Sequence, residues 1–139
     1  MKKILQINSV LNFGSTGRIA EGIGQAAIRH GWESYIAYGR NQRDSQSRAI
    51  KVGNDWDIKF HVLQTRVLDR QGLASKRATN ELVEEIEEIK PDIIHLHNLH
   101  GYYLNFKVLF DYLKCTGIPV VWTFHDCWPI TGHCAYFSF

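Results

Sequence analysis

Residues 93–105 read IIHLHNLHGYYLN and residues 120–133 read VVWTFHDCWPITGH. Each stretch opens as an apolar run and closes on titratable side chains. Pro91 to His97 and Pro119 to Asp126 have the composition expected of strands buried on both faces. Between them, Asn105 is placed to cap a helix whose Phe106, Leu109, Phe110 and Leu113 recur at helical spacing, and Gly117 offers a stop before Pro119. Strand, helix, strand is the right-handed parallel crossover. Ligands of such sheets bind at the carboxyl rim of the strands, which is where both runs deliver their histidines.

The rest of the chain repeats the alternation. Lys3 to Asn8 reads as a first strand, followed by the turn NFGSTG and a helix in which Ile19, Ala20, Ile23, Ala27 and Ile28 form a stripe that Gly31 ends. Ser34 to Tyr38 and Ala49 to Val52 read as strands joined by a polar surface loop, GRNQRDSQSR. Trp56 to Asp69 and Asn80 to Lys90 read as helices with a looser QGLASKRAT between them. In the second, Glu81, Glu84, Glu85, Glu87 and Glu88 lie opposite Leu82, Val83, Ile86 and Ile89, the pattern of a solvated helix face. The expected fold is α/β, a Rossmann-like, doubly wound and mainly parallel sheet in one domain spanning residues 1–139. The segment after His125, DCWPITGHCAYFSF, is aromatic and shows no helix stop, so the sheet is expected to continue with another crossover beyond it.

Composition narrows the function. At 139 residues and 45% hydrophobic, the chain suffices for a core without staples. A net charge of +2 with no Lys/Arg run gives no phosphate-tracking surface, so nucleic acid is not an expected partner. The opening MKKILQINSV is too short and too interrupted by Gln6 and Asn8 for a signal peptide or membrane span, and three scattered cysteines suggest no disulfide framework, which points to the cytoplasm.

Several residues are placed for chemistry. The turn from Asn12 to Arg18 lies between a strand and a helix, where backbone N–H groups and the helix dipole favour an anion, with Gly14 and Gly17 allowing close approach. It is neither G-x-G-x-x-G nor a Walker A loop. His95 and His97 share a strand face, and His97, Asn98 and His100 occupy the change from strand to loop. His125 and Asp126 end the next run and point to opposite faces, so each can enter the crevice without forming a dyad. Cys127, His133 and Cys134 match no closed zinc pattern, and packing with Trp128, Tyr136 and Phe137 is the simpler reading. No metal site is expected.

Together, KILQINSVLNFGSTGRIA, PDIIHLHNLHGYYLN and VVWTFHDCWPITGHC, in that order, resemble the N-terminal half of a GT-B glycosyltransferase of family 4. The resemblance implies two facing Rossmann-like domains, of which this chain carries the first, acceptor-side one; the C-terminal donor-binding domain, with its paired glutamates and basic residues, is absent. It implies a retaining enzyme, needing no cofactor beyond its nucleoside-diphosphate sugar donor, that moves the sugar onto a glycan or lipid-linked acceptor. Gly14, Ser15, Thr16, Gly17 and Arg18 then face the donor diphosphate, and His125 stands beside the donor sugar as the catalytic residue. His97, Asn98, His100 and Tyr102 face the acceptor. A lipid-linked acceptor implies peripheral membrane association, and the aromatics Tyr102, Tyr103, Trp128 and Tyr136 on a lone half imply self-association. Two other readings fit the residues alone: a saccharide- or partner-binding module without turnover, and a metal-dependent hydrolase built on His95, His97 and His125.

Overall fold

A computed structural model describes residues 1–68, 73–132, 134 and 136. Asp69, at the end of the second expected helix, and His133 and Phe137, assigned above to the last segment, lie outside the described residues. Along the chain run β1 (Lys3–Leu11), α1 (Gly14–Arg29), β2 (Glu33–Gln42), β3 (Arg48–Lys51), α2 (Asp55–Leu68), α3 (Lys76–Ile89), β4 (Ile93–Leu96), α4 (Phe106–Thr116), β5 (Val120–Trp122) and α5 (Trp128–Thr131). The five strands form one sheet of order β3-β2-β1-β4-β5, every neighbouring pair parallel. This is the Rossmann-like α/β architecture. Winding proceeds outward from β1 to β3, then restarts on the other side of β1 at β4. The ends of β1 and β4 therefore flank the topological switch point, where the crevice of such a sheet opens.

Local signals explain most of the elements. Asn105 caps α4, its Oδ1 accepting from the Val108 N–H at 3.0 Å, and Gly117 ends that helix at φ 68°. Gly31 follows α1 at φ 79°. The glutamates of α3 face solvent while Leu82 and Ile86 are buried. One core on the sheet collects Leu5, Ile7, Ile94 and Leu96 from the strands, Leu82 and Ile86 from α3, and Leu109 from α4.

Other expectations need correction. Helix α1 turns Gly17, Ala20, Glu21 and Gly24 inward and leaves Ile19 exposed, because small residues let the helix lie close over β1. Buried Glu21 accepts from Ser45 Oγ at 2.5 Å and from the Gln46 N–H at 3.0 Å, tying down the loop between β2 and β3. That loop is shorter than the polar stretch suggested. Gly39 to Gln42 continue β2, with a register shift where Leu11 pairs with Gln42. Helix α3 starts at Lys76 rather than Asn80.

The last strand differs most. β5 has only three residues, and Val120 and Val121 are exposed rather than buried on both faces. Among the described strands it pairs with β4 alone and forms the sheet edge. The following segment does contain a helix stop, since Pro129 enters α5 and Gly132 closes it at φ 70°.

Tyr103, expected on an exposed aromatic surface, is fully buried under β2, where a Cβ on Gly39 would lie 2.3 Å from Tyr103 Cβ and Cγ. By contrast, a Cβ on Gly22, in exposed α1 surface, would have nothing within 4 Å. We expect Gly39→Ala to destabilise the fold by about 1–3 kcal/mol through overpacking. Gly22→Ala should stabilise it by about 0.4–1 kcal/mol by restricting the unfolded chain. Urea unfolding of both variants checks the pair, and equal midpoints would contradict this packing.

Candidate functional site

The crevice is built on two polar residues inside β1. Gln6 and Asn8 are wholly buried, and strand alternation puts them on one face, with Gln6 in register beside His95 of β4. Gln6 Nε2 donates to the Ala20 carbonyl of α1 at 2.9 Å, and Gln6 Oε1 lies 3.0 Å from His97 Nε2. Asn8 Oδ1 accepts from the Asn98 N–H at 3.3 Å, while its Nδ2 donates to the Val10 carbonyl at 2.9 Å and to Thr16 Oγ1 at 3.5 Å. Asn8 thereby joins the loop after β4 to the first turn of α1.

Three imidazoles stand over this base. His95 and His97 stack with ring centroids 4.1 Å apart, and His97 and His125 with centroids 5.3 Å apart. His97 Nδ1 lies 3.0 Å from His125 Nε2, and His95 Nε2 lies 2.8 Å from Thr123 Oγ1. Burial, followed by the neighbouring imidazoles His95 and His125, pushes the basicity of His97 down to about 3. Burial, then His125, also lowers that of His95. These two act as neutral hydrogen-bonding groups rather than cations.

His97 is only 1% exposed, and both of its ring nitrogens face internal partners. It therefore supports the rim from behind, whereas His125, half-buried in the loop after β5, lies on the rim itself. Asp126 turns to a different partner, as strand alternation suggested, bonding His100 Nε2 at 2.7 Å and accepting from the Trp128 N–H at 3.0 Å. Trp128 is buried against Phe106 and His100 and is not part of an exposed aromatic surface. Tyr136 is exposed rather than packed on it. Cys127 is a free thiol, and among the described residues no cluster of three or more His, Cys, Asp or Glu is arranged to hold an ion.

The loop after β4 is shaped by Gly101 at φ 123° and Tyr102 at φ 64°. Asn98 is half-buried; its carbonyl accepts from the Tyr103 hydroxyl at 2.8 Å. Tyr102 meets the His61 ring of α2 edge-on at 5.7 Å between centroids. Burial lowers the basicity of His61, whose Nδ1 lies 2.8 Å from Ser75 Oγ.

Across the crevice, α1 begins directly after the turn Asn12-Phe13. Its first turn has no side-chain cap and no acidic residue. Gly14, Ser15 and Arg18 are exposed, Thr16 is half-buried and Gly17 is buried. A Cβ on Gly17 would lie 3.1 Å from the Asn12 nitrogen, so this glycine lets the helix start close against the strand end. The N–H groups of that turn form the electropositive end of a 16-residue helix.

Sequence reasoning placed His125, His97 and the glycine turn at one rim but passed over Gln6 and Asn8. Their signal was present: two carboxamides at alternate positions of an otherwise apolar strand.

The chain is similar to a protein of Escherichia coli (strain K12) described as putative colanic acid biosynthesis glycosyl transferase WcaC, with 28% identity over 146 aligned residues. That alignment takes in 96% of this chain and 35% of the relative, so the chain spans just over a third of that protein's length. The model of Glycosyltransferase Family 4 matches residues 16–138, from the first turn of α1 through both histidine-bearing strand ends. With the match covering most of a Rossmann-like sheet whose crevice these elements form, the chain belongs to glycosyltransferase family 4.

Proposed function

We propose that this chain is the N-terminal, acceptor-side domain of a two-domain retaining glycosyltransferase, which transfers a sugar from a nucleoside-diphosphate sugar to a glycan or lipid-linked acceptor in the cytoplasm. One observation carries the reading: an uncapped helix N-terminus and a cluster of three histidines flank the switch point and are joined through Asn8. Membership of glycosyltransferase family 4 supplies the reaction class. The biosynthetic name of the similar bacterial protein supports a polysaccharide product.

Each side has a distinct task. The leaving nucleoside diphosphate gains negative charge in the transition state. The backbone N–H groups of Gly14, Ser15, Thr16 and Gly17, with Arg18, offer that charge fixed positive dipoles and a cation. A second domain completes the diphosphate site and closes the crevice against water. His125 hydrogen-bonds the donor sugar, while Asn98, His100 and Tyr102 line the acceptor side and His97 holds His125. The reaction proceeds without a bound cofactor, because the leaving charge is met by these groups and by the second domain.

A lipid-linked acceptor requires a way to the bilayer. No helix of the described residues is long and apolar enough to cross a membrane. Helix α2 instead presents an outward stripe of Trp56, Phe60, Leu63 and Val67, exposed by 77%, 59%, 57% and 68%, at helical spacing. Lys59 Nζ sits 4.8 Å from the Trp56 ring centroid, and Arg66 lies in the last turn. An apolar helix face flanked by cations suits the surface of an anionic bilayer.

In the full-length enzyme, we expect His125→Ala to lower turnover at least tenfold with the fold intact, measured as nucleoside-diphosphate release from a panel of donor sugars. Unchanged turnover removes His125 from the mechanism, and an inverted anomeric configuration in the product overturns the retaining assignment. We further expect the protein to float with phosphatidylglycerol vesicles, and Trp56→Ser/Phe60→Ser to reduce the floated fraction severalfold. Equal flotation of the double variant, or a stripe that instead forms a concentration-dependent dimer in light scattering, would refute the membrane assignment.

A further inference from the structure

The hydrogen-bond chain beneath the rim has a direction. The Ala20 carbonyl can only accept, so the end of the Gln6 amide that meets it at 2.9 Å is the NH₂ group. Gln6 Oε1 is thereby turned to His97 Nε2 at 3.0 Å. An amide oxygen also only accepts, so His97 carries its hydrogen on Nε2. Buried and pushed down to about 3 in basicity, His97 is neutral and has one ring hydrogen. Its Nδ1 is consequently a bare lone pair, and His125 Nε2, 3.0 Å away, must be the donor. With that hydrogen on Nε2, the neutral form of His125 has an unprotonated Nδ1. Among the described residues no group hydrogen-bonds to that nitrogen, and the ring is half-buried at the open edge of the crevice.

We propose that Gln6 is a positioning residue that acts through His97 to hold His125 as its Nε2–H tautomer, so that His125 accepts a hydrogen bond from a sugar hydroxyl at Nδ1 and does not donate one. This rests on the proposed role of His125 beside the donor sugar, but the tautomer is a property of the chain alone. The small face of α1 belongs to the same device. Ala20, on that face, supplies the carbonyl that orients the amide. Carboxamide, helix carbonyl and two imidazoles, drawn from residues up to 119 positions apart in the chain, thus set one hydrogen atom at the rim.

Long-range ¹H–¹⁵N correlation spectra of the ¹⁵N-histidine-labelled chain at pH 8 read the tautomer directly, because protonated and bare ring nitrogens have well-separated shifts. We expect His125 to show a protonated Nε2 and a bare Nδ1. Gln6→Glu should reverse this pattern: the carboxylate favours imidazolium at His97, whose Nδ1–H then points at His125 and forces it to accept at Nε2. Gln6→Met, which offers no amide acceptor, should give His125 a mixture of tautomers. A bare Nε2 on His125 in the wild-type chain overturns the proposal, as does a wild-type pattern retained in both variants. If neither variant folds, the wild-type spectrum still decides it. An expected tautomer pattern together with unaltered turnover of full-length His125→Ala would leave the relay standing and sink the catalytic reading instead.

Discussion

Two carboxamides buried in the central strand constrain the rest of the molecule. Leaving a buried polar group without a partner costs about 1–3 kcal/mol, and Gln6 and Asn8 bring four such atoms into the sheet. Within β1 only Asn8 Nδ2 finds a partner, the Val10 carbonyl at 2.9 Å, and the other three atoms must be met from outside the strand. Their partners come from α1, through the Ala20 carbonyl and Thr16 Oγ1, and from the end of β4, through His97 and the Asn98 N–H. Helix α1 must therefore lie close over the strand, and its inner face of Gly17, Ala20 and Gly24 permits that approach. The loop after β4 must turn back over β1. The crevice is a consequence of satisfying these four atoms.

The same packing divides the electrostatic labour. Imidazole rings with centroids 4.1 Å apart in a buried setting are compatible when neutral, whereas two imidazolium ions there would repel each other without water to screen them. Burial and mutual proximity hold His95 and His97 uncharged. Affinity for an anion then originates, on the proposed reading, at the uncapped start of α1 with exposed Arg18, which Asn8 reaches through Thr16. On the proposed reading, the histidines arrange hydrogen bonds to the sugar while the helix end meets the diphosphate. Neither side needs to perform both tasks.

Much of this was legible because its causes are local. The cap at Asn105, the stop at Gly117, the amphipathic pattern of α3 and the alternation of strand with helix are all set within a few residues. Position at the end of an apolar run was enough to bring His97 and His125 together, although His97 lies behind the rim and His125 on it. Hydrophobic periodicity misread α1, because a helix docked by close approach buries glycine and alanine and leaves Ile19 outside. It also lengthened β5, where an apolar run looks the same in a buried strand and in a short sheet edge. The partnership of Gln6 with His97 spans 91 residues, and in the sequence Gln6 reads only as an interruption of an apolar strand. Which imidazole nitrogen bears a hydrogen depends on that distant amide, so the polarity of the rim follows from tertiary structure alone.

Helix α2 links the crevice to the outer surface. A helix with apolar residues on opposite sides is normally covered on both. Here the inner side places His61 between Ser75 and Tyr102, while the outer side leaves Trp56, Phe60, Leu63 and Val67 exposed. Tyr102 holds a left-handed conformation in the loop after β4, and the edge-on His61 ring is one of the contacts that supports it there. Burial keeps His61 neutral, so this support does not bring a charge beneath the loop. If the outer stripe meets a bilayer, as proposed, the helix resting on the membrane also backs the loop assigned to the acceptor. A lipid-linked acceptor would then have its reactive end near Tyr102 and Asn98 while its chain remained in the lipid, which needs no deep apolar channel through the domain.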